Sequence, residues 1–256
     1  MVFYILAAAC AIAVVFAAGR LVRRGIDDGD PGGATAAHTG AMLSALFLLA
    51  FAVAIVVPWA ATDSARLNTY AEAQAITEAY WSAERLPAGP REHARAGLAD
   101  YARFVRDREW RDMAEGRLNP DGGARLDAVR RQVIALPAGD DAPDQAAGDA
   151  RAAVLEQIGA ISAARHQRAM DARVRPPTAL LVMTAVTGLL VVAFPYLAGA
   201  RPRGMTAVPL ALLAGLLAIG IYLAIDISHT FAGGLAVRPD AFTGALTEIQ
   251  RISAGP

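Results

Sequence analysis

The sequence predicts an all-α membrane protein: four transmembrane helices as two hairpins, an extramembrane helical bundle inserted between them, and a C-terminal amphipathic helix. Hydrophobic residues make up 55% of the 256-residue chain and charged residues only 19%. Four long stretches carry no Asp, Glu, Lys or Arg, whereas Thr62–Pro176 holds most of the charge. This segregation is typical of a bilayer protein with a water-facing part. The predicted divisions are a first transmembrane hairpin at 1–61, an extramembrane helical domain at 62–176, a second transmembrane hairpin at 177–226 and a C-terminal amphipathic segment at 227–256.

The first apolar stretch runs from Val2 to Gly19 and is followed by Arg20, Arg23 and Arg24. Its length is at the lower end of what crosses about 30 Å of hydrocarbon at 1.5 Å per residue. A cleaved signal peptide is the alternative, but its positive charge usually precedes the apolar core. We therefore expect an uncleaved span.

The other three apolar stretches are Ala41–Ala61, Thr178–Leu197 and Val208–Ile225. The second closes with Pro58 and Trp59, and tryptophan is common at the membrane interface. The last stretch contains small residues four apart, which favour close helix packing in lipid: Ala211 with Gly215, and Gly220 with Ala224.

No span contains an ionised side chain, and this limits the possible functions. Proton relays, coupled carriers and voltage sensors need charge inside the membrane. A passive channel gated by a hydrophobic constriction does not. The sidedness stays open, because arginines lie in the short loops and also just before the third span.

The basic residues are all arginine, with no lysine in the chain, and the formal net charge is zero. A Walker-type phosphate loop and Schiff-base chemistry both require lysine, so both are excluded. Zero net charge gives no reason to expect a nucleic-acid partner. The single cysteine, Cys10, lies in the first apolar stretch and has no second thiol for a disulfide or a metal site.

Residues 62–176 show helical spacing throughout. A first helix continues to Leu86-Pro87. A second ends near Gly116 and the Gly122-Gly123 pair, and a third is stopped by Pro137. After a polar loop at 138–145, a long helix is expected to run unbroken to Pro176. The positions expected to be buried are Leu67, Leu98, Tyr101, Val105, Trp110, Met113, Leu126, Val129, Val133, Leu136, Val154, Ile158 and Ile161.

Aromatic residues at helical spacing in this region suggest either a binding surface or a core, and we predict a core. They are Tyr70, Tyr80, Trp81, Tyr101, Phe104 and Trp110. We expect the arginines of these helices to form a solvated face.

No catalytic, cofactor or metal site is predicted. The acidic group Asp140, Asp141, Asp144 and Asp149 lacks the ligand spacing of a calcium loop and indicates a flexible loop instead. The four histidines, His38, His93, His166 and His229, fall in different segments without metal-ligand spacing. No serine or cysteine lies in a nucleophile motif.

The last segment contains Phe242, Ala245, Leu246 and Ile249 on one face of a short helix, which is expected to lie on the membrane or to dock on the bundle. Just before it, Phe231, Gly233, Leu235, Val237, Pro239, Asp240 and Phe242 resemble the C-terminal signature of bacterial bestrophin-like domain proteins. Ser228, His229 and Thr230 stand where that signature usually has Asp, Arg and Pro.

Further matches extend the resemblance from about Leu21 to Ile252. They are His38, Trp59, Tyr101, Glu109-Trp110, Met113, Arg165, Arg168 and Pro176-Pro177. The positions that best represent the family signature are Trp110, Phe231, Gly233, Pro239 and Phe242. The bestrophin-like family has no assigned function. Bestrophins proper are pentameric anion channels with four spans per subunit, but their pore-lining aromatic residues and calcium-binding acidic cluster have no residue-by-residue counterpart here.

The sequence therefore leaves two hypotheses for a multi-pass protein of the cell membrane. The first is a homo-oligomeric passive channel, with anions as its cargo. The alternative is a non-conducting scaffold or sensor whose helical domain binds a partner. A membrane enzyme is disfavoured because no acid, base, nucleophile or metal set converges.

Overall fold

The structure is a computed structural model, and it describes residues 5–7, 9–13, 17, 33–136, 142–174, 178–198, 205 and 207–255. Within these residues the regular structure is helical, as predicted. The helices are α1 Gly33–Ser82, α2 Ala88–Phe104, α3 Trp110–Ala114, α4 Pro120–Ile134, α5 Ala142–Asp171, α6 Thr178–Leu197, α7 Ala207–Ile227 and α8 Asp240–Ala254. A 3₁₀ turn, Ala83–Arg85, follows α1, and a π-helical turn, Val105–Glu109, joins α2 to α3.

Three helices of the described residues are long and apolar enough to cross a membrane. They are the apolar part of α1, α6 and α7, which contain the predicted second, third and fourth spans. The predicted first span, Val2–Gly19, lies largely outside the described residues. It is helical at 5–7 and 9–13.

Helix α1 extends well beyond the stretch predicted for the second span. The apolar stretch predicted for the second span closes near Pro58-Trp59, but α1 continues through Pro58 to Ser82. A proline inside a helix removes one backbone hydrogen bond, and membrane helices tolerate this where nearby groups satisfy the freed carbonyl. The end of the apolar stretch is therefore not the end of the helix.

The chain separates into two compact units. One, here called the span unit, comprises residues 1–60 and 175–228. The other, the bundle unit, comprises residues 61–174 and 229–256. The segment after α7, from residue 229 on, therefore belongs to the same unit as α2 to α5.

In the span unit, phenylalanine rings pack closely against glycines of other helices. A methyl group added at Gly220 would lie 2.7 Å from Cζ of Phe51, and one added at Gly188 would lie 3.0 Å from Cε2 of Phe47. The two phenylalanine rings stack at 5.5 Å. The four small residues singled out in the last span, Ala211, Gly215, Gly220 and Ala224, are all buried, which confirms the predicted packing face.

The core of the bundle unit contains most of the residues that helical spacing predicted. The fully buried ones include Leu98, Tyr101, Val105, Val154, Ile158 and Ile161. Helix α8 docks on α2 within this unit and buries Phe242, Ala245, Leu246 and Ile249. Of the two placements that the sequence left open for α8, the structure therefore has the docked one.

Three expectations about the bundle unit are wrong. Leu67, Tyr70 and Trp81 are exposed by 63%, 53% and 48%, because α1 packs into this unit through a different face that includes Ala65, Glu72 and Ile76. The other four predicted core aromatics are buried.

Three helix boundaries also differ from the expectation. Helix α5 begins at Ala142, inside the predicted polar loop, and ends at Asp171 rather than at Pro176. A continued helix would need hydrogen bonds donated by residues 176 and 177, and prolines cannot donate them. Helix α4 begins at Pro120, so Gly122 and Gly123 lie inside its first turns.

Candidate functional site

The candidate site is a cluster of buried charges in the bundle unit, here called the charge cluster: Glu72, Tyr101, Glu109, Arg165 and Arg168. The Glu72, Glu109 and Arg168 side chains are fully buried and Arg165 nearly so. Arg168 donates through Nε to Oε2 of Glu72 at 2.8 Å and through Nη2 to Oε1 of Glu109 at 2.7 Å. Arg165 donates to the other oxygen of Glu109 at 2.6 Å. The four charged groups thus form one chain of ion pairs with no net charge.

Tyr101 completes the cluster by donating its hydroxyl proton to Glu72 at 2.7 Å. Burial, and next the negative charge of Glu72, raise the pKa of Tyr101 well above its ordinary value. The phenol therefore stays protonated and acts as a fixed hydrogen-bond donor.

Arg168 remains charged although it is completely buried. Burial opposes its charge, but the carboxylate of Glu72, followed by Glu109, outweighs this effect and the pKa of Arg168 is raised. Its guanidinium carbon also lies 5.7 Å from the Trp110 ring centre and 5.6 Å from that of Phe242. These aromatic rings add cation–π attraction to the guanidinium.

The π-helical turn places Glu109 and Trp110 together in the interior. The turn spans Val105–Glu109 and ends directly before Trp110, and the Glu109 and Trp110 side chains are both buried. Such turns are frequent at functional sites.

Helix α4 approaches the cluster with its first turn. Asn119 caps this helix, because its side-chain oxygen accepts a hydrogen bond from the Asp121 backbone N–H at 3.0 Å. The backbone carbonyl of Asn119 accepts a hydrogen bond from Arg165 at 2.5 Å. A methyl group at Gly122 would overlap the Glu109 carboxylate and lie 2.8 Å from Arg165 Nη2. Position 122 therefore has room for glycine only.

Helices α1 and α5 are joined by two polar pairs one turn apart. Asn68 donates to Asp171 at 2.8 Å, and Arg168 contacts Glu72. The two pairs fix the register of these helices, since a shift by one turn would break both.

An aromatic group covers the cluster on the side of the C-terminal segment. Trp110 packs edge-on against Phe231, with ring centres 5.4 Å apart, and against Phe242 at 5.9 Å. Its indole N–H donates to the Val237 carbonyl at 3.2 Å. We call Trp110, Phe231 and Phe242 the aromatic cap.

The loop between Phe231 and Phe242 contains the other two signature positions. It closes with a hydrogen bond from the Val237 N–H to the Thr230 carbonyl at 2.9 Å. Gly233 has a φ of 106°, a conformation that favours glycine. Pro239 precedes α8, and its carbonyl accepts from the Phe242 N–H at 3.1 Å. The five signature positions thus lie in or beside the aromatic cap.

The three residues that depart from the family signature, Ser228, His229 and Thr230, lie directly before this loop. Ser228 is buried and donates its hydroxyl proton to the Ala224 carbonyl at 2.6 Å. Thr230 is buried, and His229 is exposed. In this chain, the backbone of Thr230 closes the loop.

Within the part of the chain that the structure describes, the charge cluster is enclosed by other residues of the bundle unit. Its acids are fully buried, and the two described grooves of the bundle unit are lined by residues outside the cluster. Removing one partner from a buried ion pair typically costs about 3–5 kcal/mol, because the other charge is left unpaired. The arrangement can therefore fix the positions of α1, α3, α5 and the C-terminal segment.

The other predicted features do not converge. His38, His93, His166 and His229 are all exposed and lie on separate elements. Within the described part of the chain, no group of His, Cys, Asp or Glu has the arrangement of a metal site. The acidic segment around Asp140 and Asp141 lies outside the described residues, and Asp149 is exposed.

Reasoning from the sequence missed the cluster. The prediction that the arginines form a solvated face is wrong for Arg165 and Arg168. Both are buried, because they pair with the buried carboxylates of Glu109 and Glu72. A signal for Glu72 existed, because residues 65, 69, 72, 76 and 79 have helical spacing and the other four are small or apolar. An acid on such a face indicates a buried partner.

The comparison with family profiles matches the Bestrophin-like domain to residues 5–242. No curated protein and no solved structure matches the chain. The family match includes both units and all five signature positions. The Bestrophin-like family is not an enzyme family. The chain thus belongs to the Bestrophin-like domain family.

Proposed function

We propose that this protein is a homo-oligomeric, multi-pass protein of the cell membrane that passes small anions passively. The proposal rests on the composition and packing of the described spans. Their helices pack through glycine and alanine, expose long apolar side chains and contain no ionised residue in their apolar windows. This fits a passive pore and opposes a pump or a coupled carrier.

Several copies are needed because one copy offers no wet path in the described residues. The cavity in the span unit, about 410 Å³, is lined only by Ala, Gly, Leu, Val and Ile residues and Cys10. Such a lining does not hold water. A conducting path would therefore form between copies, and the resemblance to bestrophins supports anions as the cargo.

The finer topology belongs to the same proposal. The first span would pair with the second in the hairpin at 1–61, and the third with the fourth at 177–226. The helical domain and the C-terminal segment would then lie on one side of the membrane. No catalytic step is part of this function, since the charge cluster is enclosed by other residues in the described part of the bundle unit.

The proposal is tested by reconstituting the full chain in liposomes and measuring chloride and potassium flux with separate dyes. We expect chloride flux above that of empty vesicles and above the potassium flux. Equal flux of both ions would indicate a leak, and no flux would refute the channel. The mass of the detergent-solubilised protein supplies the second readout, and a strict monomer would also refute it.

The alternative, a non-conducting scaffold or sensor, is favoured by one feature. The charge cluster contains Glu72, which lies on the same continuous helix as the second span. If flux is absent, stoichiometric capture of another membrane protein by the full chain would support this alternative.

A further inference from the structure

A groove runs along the bundle unit between α2 and α8. Its volume is about 650 Å³, which lies within the roughly 300–1,000 Å³ of small-molecule sites. The two helices are antiparallel along it. Phe242 at the start of α8 packs against Trp110, which follows α2, and Ser253 near the end of α8 bonds to Tyr80, whose ring lies under Arg95 of α2. The groove therefore has two different ends, one beside the π-helical turn and one beside Tyr80.

The floor of the groove is apolar. Ala96 and Ala99 line it from α2, and Leu246 and Ile249 line it from α8. Along α2 the lining residues extend over 92–106, which at 1.5 Å per residue is about 21 Å. The length and the apolar floor together suit a ligand with a linear apolar chain.

The end beside the π-helical turn has an excess of positive charge. Arg106 donates to both oxygens of Asp107, at 2.6 and 2.9 Å, and this hydrogen bonding is the main reason why the pKa of Asp107 is lowered. The charges of Arg103 and Arg111 lower it further, so both lie close to the same carboxylate. Three cations thus surround one acid, which leaves two positive charges in excess.

Arg103 is the cation of the groove that is free to bind a ligand. Its side chain is exposed and forms no hydrogen bond or ion pair with the residues that the structure describes. The other two arginines of the groove are engaged, Arg106 with Asp107 and Arg95 with Glu84. A free guanidinium presents two parallel N–H groups, which match the two oxygens of a carboxylate.

The opposite end of the groove is unfavourable for an anion. The hydroxyl groups of Tyr80 and Ser253 bond to each other at 2.6 Å, and Glu92 adds an exposed negative charge there. An anionic head group is therefore more stable at the Arg103 end, and a chain attached to it follows the apolar floor.

We propose that the groove between α2 and α8 binds a carboxylate that carries a single apolar chain. The carboxylate pairs with Arg103, and the chain covers the alanines of α2 and the apolar residues of α8. Each buried CH₂ group of the ligand raises the affinity about fourfold. The site is independent of the proposed anion conduction, because it lies within the bundle unit of one copy.

Isothermal titration calorimetry of the full chain in nanodiscs of neutral lipid tests the proposal, with octanoate as the probe and empty nanodiscs as the blank. We expect saturable binding of one octanoate per chain. Hexanoate, which is shorter by two CH₂ groups, should bind roughly fifteenfold more weakly. Octylammonium, which has the same chain and a positive head group, should not bind. The absence of saturable heat above the blank, or octylammonium binding as tight as that of octanoate, would overturn the proposal.

Two pairs of variants separate the head-group contact from the chain contact. Arg103→Gln should weaken octanoate binding at least tenfold, whereas Arg131→Gln, on α4 outside the groove, should not change it. Ala96→Phe fills the groove and should also weaken binding at least tenfold, whereas Ala114→Phe on α3 should not. All four positions are exposed, so the core stays intact.

Equal effects of a groove variant and its matched control would show that octanoate binds elsewhere, which would overturn the proposal. None of these measurements records ion flux. Loss of octanoate binding and loss of chloride flux are therefore separate results, and each refutes only its own proposal.

Discussion

The two units use different means to hold the same helix, α1. In the span unit, Phe47 and Phe51 of α1 fit against Gly188 and Gly220, so shape alone fixes the contact. In the bundle unit, α1 contributes Glu72 to a chain of buried ion pairs. The two contacts described here for the span unit are between uncharged residues, whereas four charges lie inside the core of the bundle unit.

The amino-acid composition of each unit suits a different environment, and this explains why the two kinds of helix contact differ. Between lipid chains the hydrophobic effect does not drive helices together, so close approach at small residues is the main stabilising contact. In a bundle that faces water, the hydrophobic effect itself stabilises an apolar core. Buried charges then serve to fix the register of the helices. We infer that the charge cluster specifies the arrangement of α1, α5 and the C-terminal segment, as buried polar groups do in some proteins.

The largest expected effect comes from breaking the charge cluster. Arg168→Met removes the arginine paired with Glu72 and one of the two arginines paired with Glu109, so we expect the bundle unit to lose about 3–5 kcal/mol of unfolding free energy. Denaturant unfolding monitored by tryptophan fluorescence measures it. The control is Arg130→Gln, which removes a half-buried arginine 4.0 Å from the exposed Asp127 and should have little effect. Equal losses in both variants would show that the cluster does not hold the unit together.

Tyr101→Phe tests one hydrogen bond of the cluster and should have a smaller effect. Loss of the bond to Glu72 should cost about 1.5–3 kcal/mol, since the acceptor is charged. Tyr70→Phe, which removes an exposed hydroxyl, is the matched control.

The pH dependence sharpens this test. Because the pKa of Tyr101 is raised in the folded protein, its contribution is complete below the ordinary value of 10.0 and is lost as pH rises above it. We therefore expect the stability of Tyr101→Phe to fall less steeply than that of the wild type above pH 10. Parallel pH curves would contradict the assigned role of the phenol.

Gly220→Ala addresses the packing of the span unit. The added methyl group would lie 2.7 Å from the Phe51 ring, so the ring or the helix must move. Overpacking of this kind usually costs about 1–3 kcal/mol. Thermal unfolding in detergent measures the effect, and unchanged stability would show that shape does not fix this contact.

Gly159→Ala is the matched control and carries the smallest expected effect. Nothing lies within 4 Å of a methyl group at this position of α5. Alanine should therefore stabilise the helix by about 0.5–1 kcal/mol through its better helix propensity. A loss of stability would indicate a contact at Gly159 that the structure does not contain.

Local patterns in the chain predicted helices and apolar positions well. Val154, Ile158 and Ile161 are buried as their spacing predicted, and so are Ala211 and Gly215 in the last span. The candidate site was predictable only in fragments. Tyr101, Glu109, Trp110, Arg165 and Arg168 all belong to the family resemblance, yet their contact depends on a π-helical turn and on helices far apart in the chain.

The amino-acid sequence by itself determined the helical class, the charge-free spans and the buried faces of most helices, because hydrophobic periodicity is a local property. Only the tertiary structure decided which of two faces of α1 is buried, that Arg165 and Arg168 lie inside, and that Phe231 and Phe242 meet Trp110. Those outcomes depend on pairing between distant segments. A charged side chain is stable in the interior only where a group of opposite charge on another helix pairs with it. The sequence pattern of either helix alone does not identify that partner.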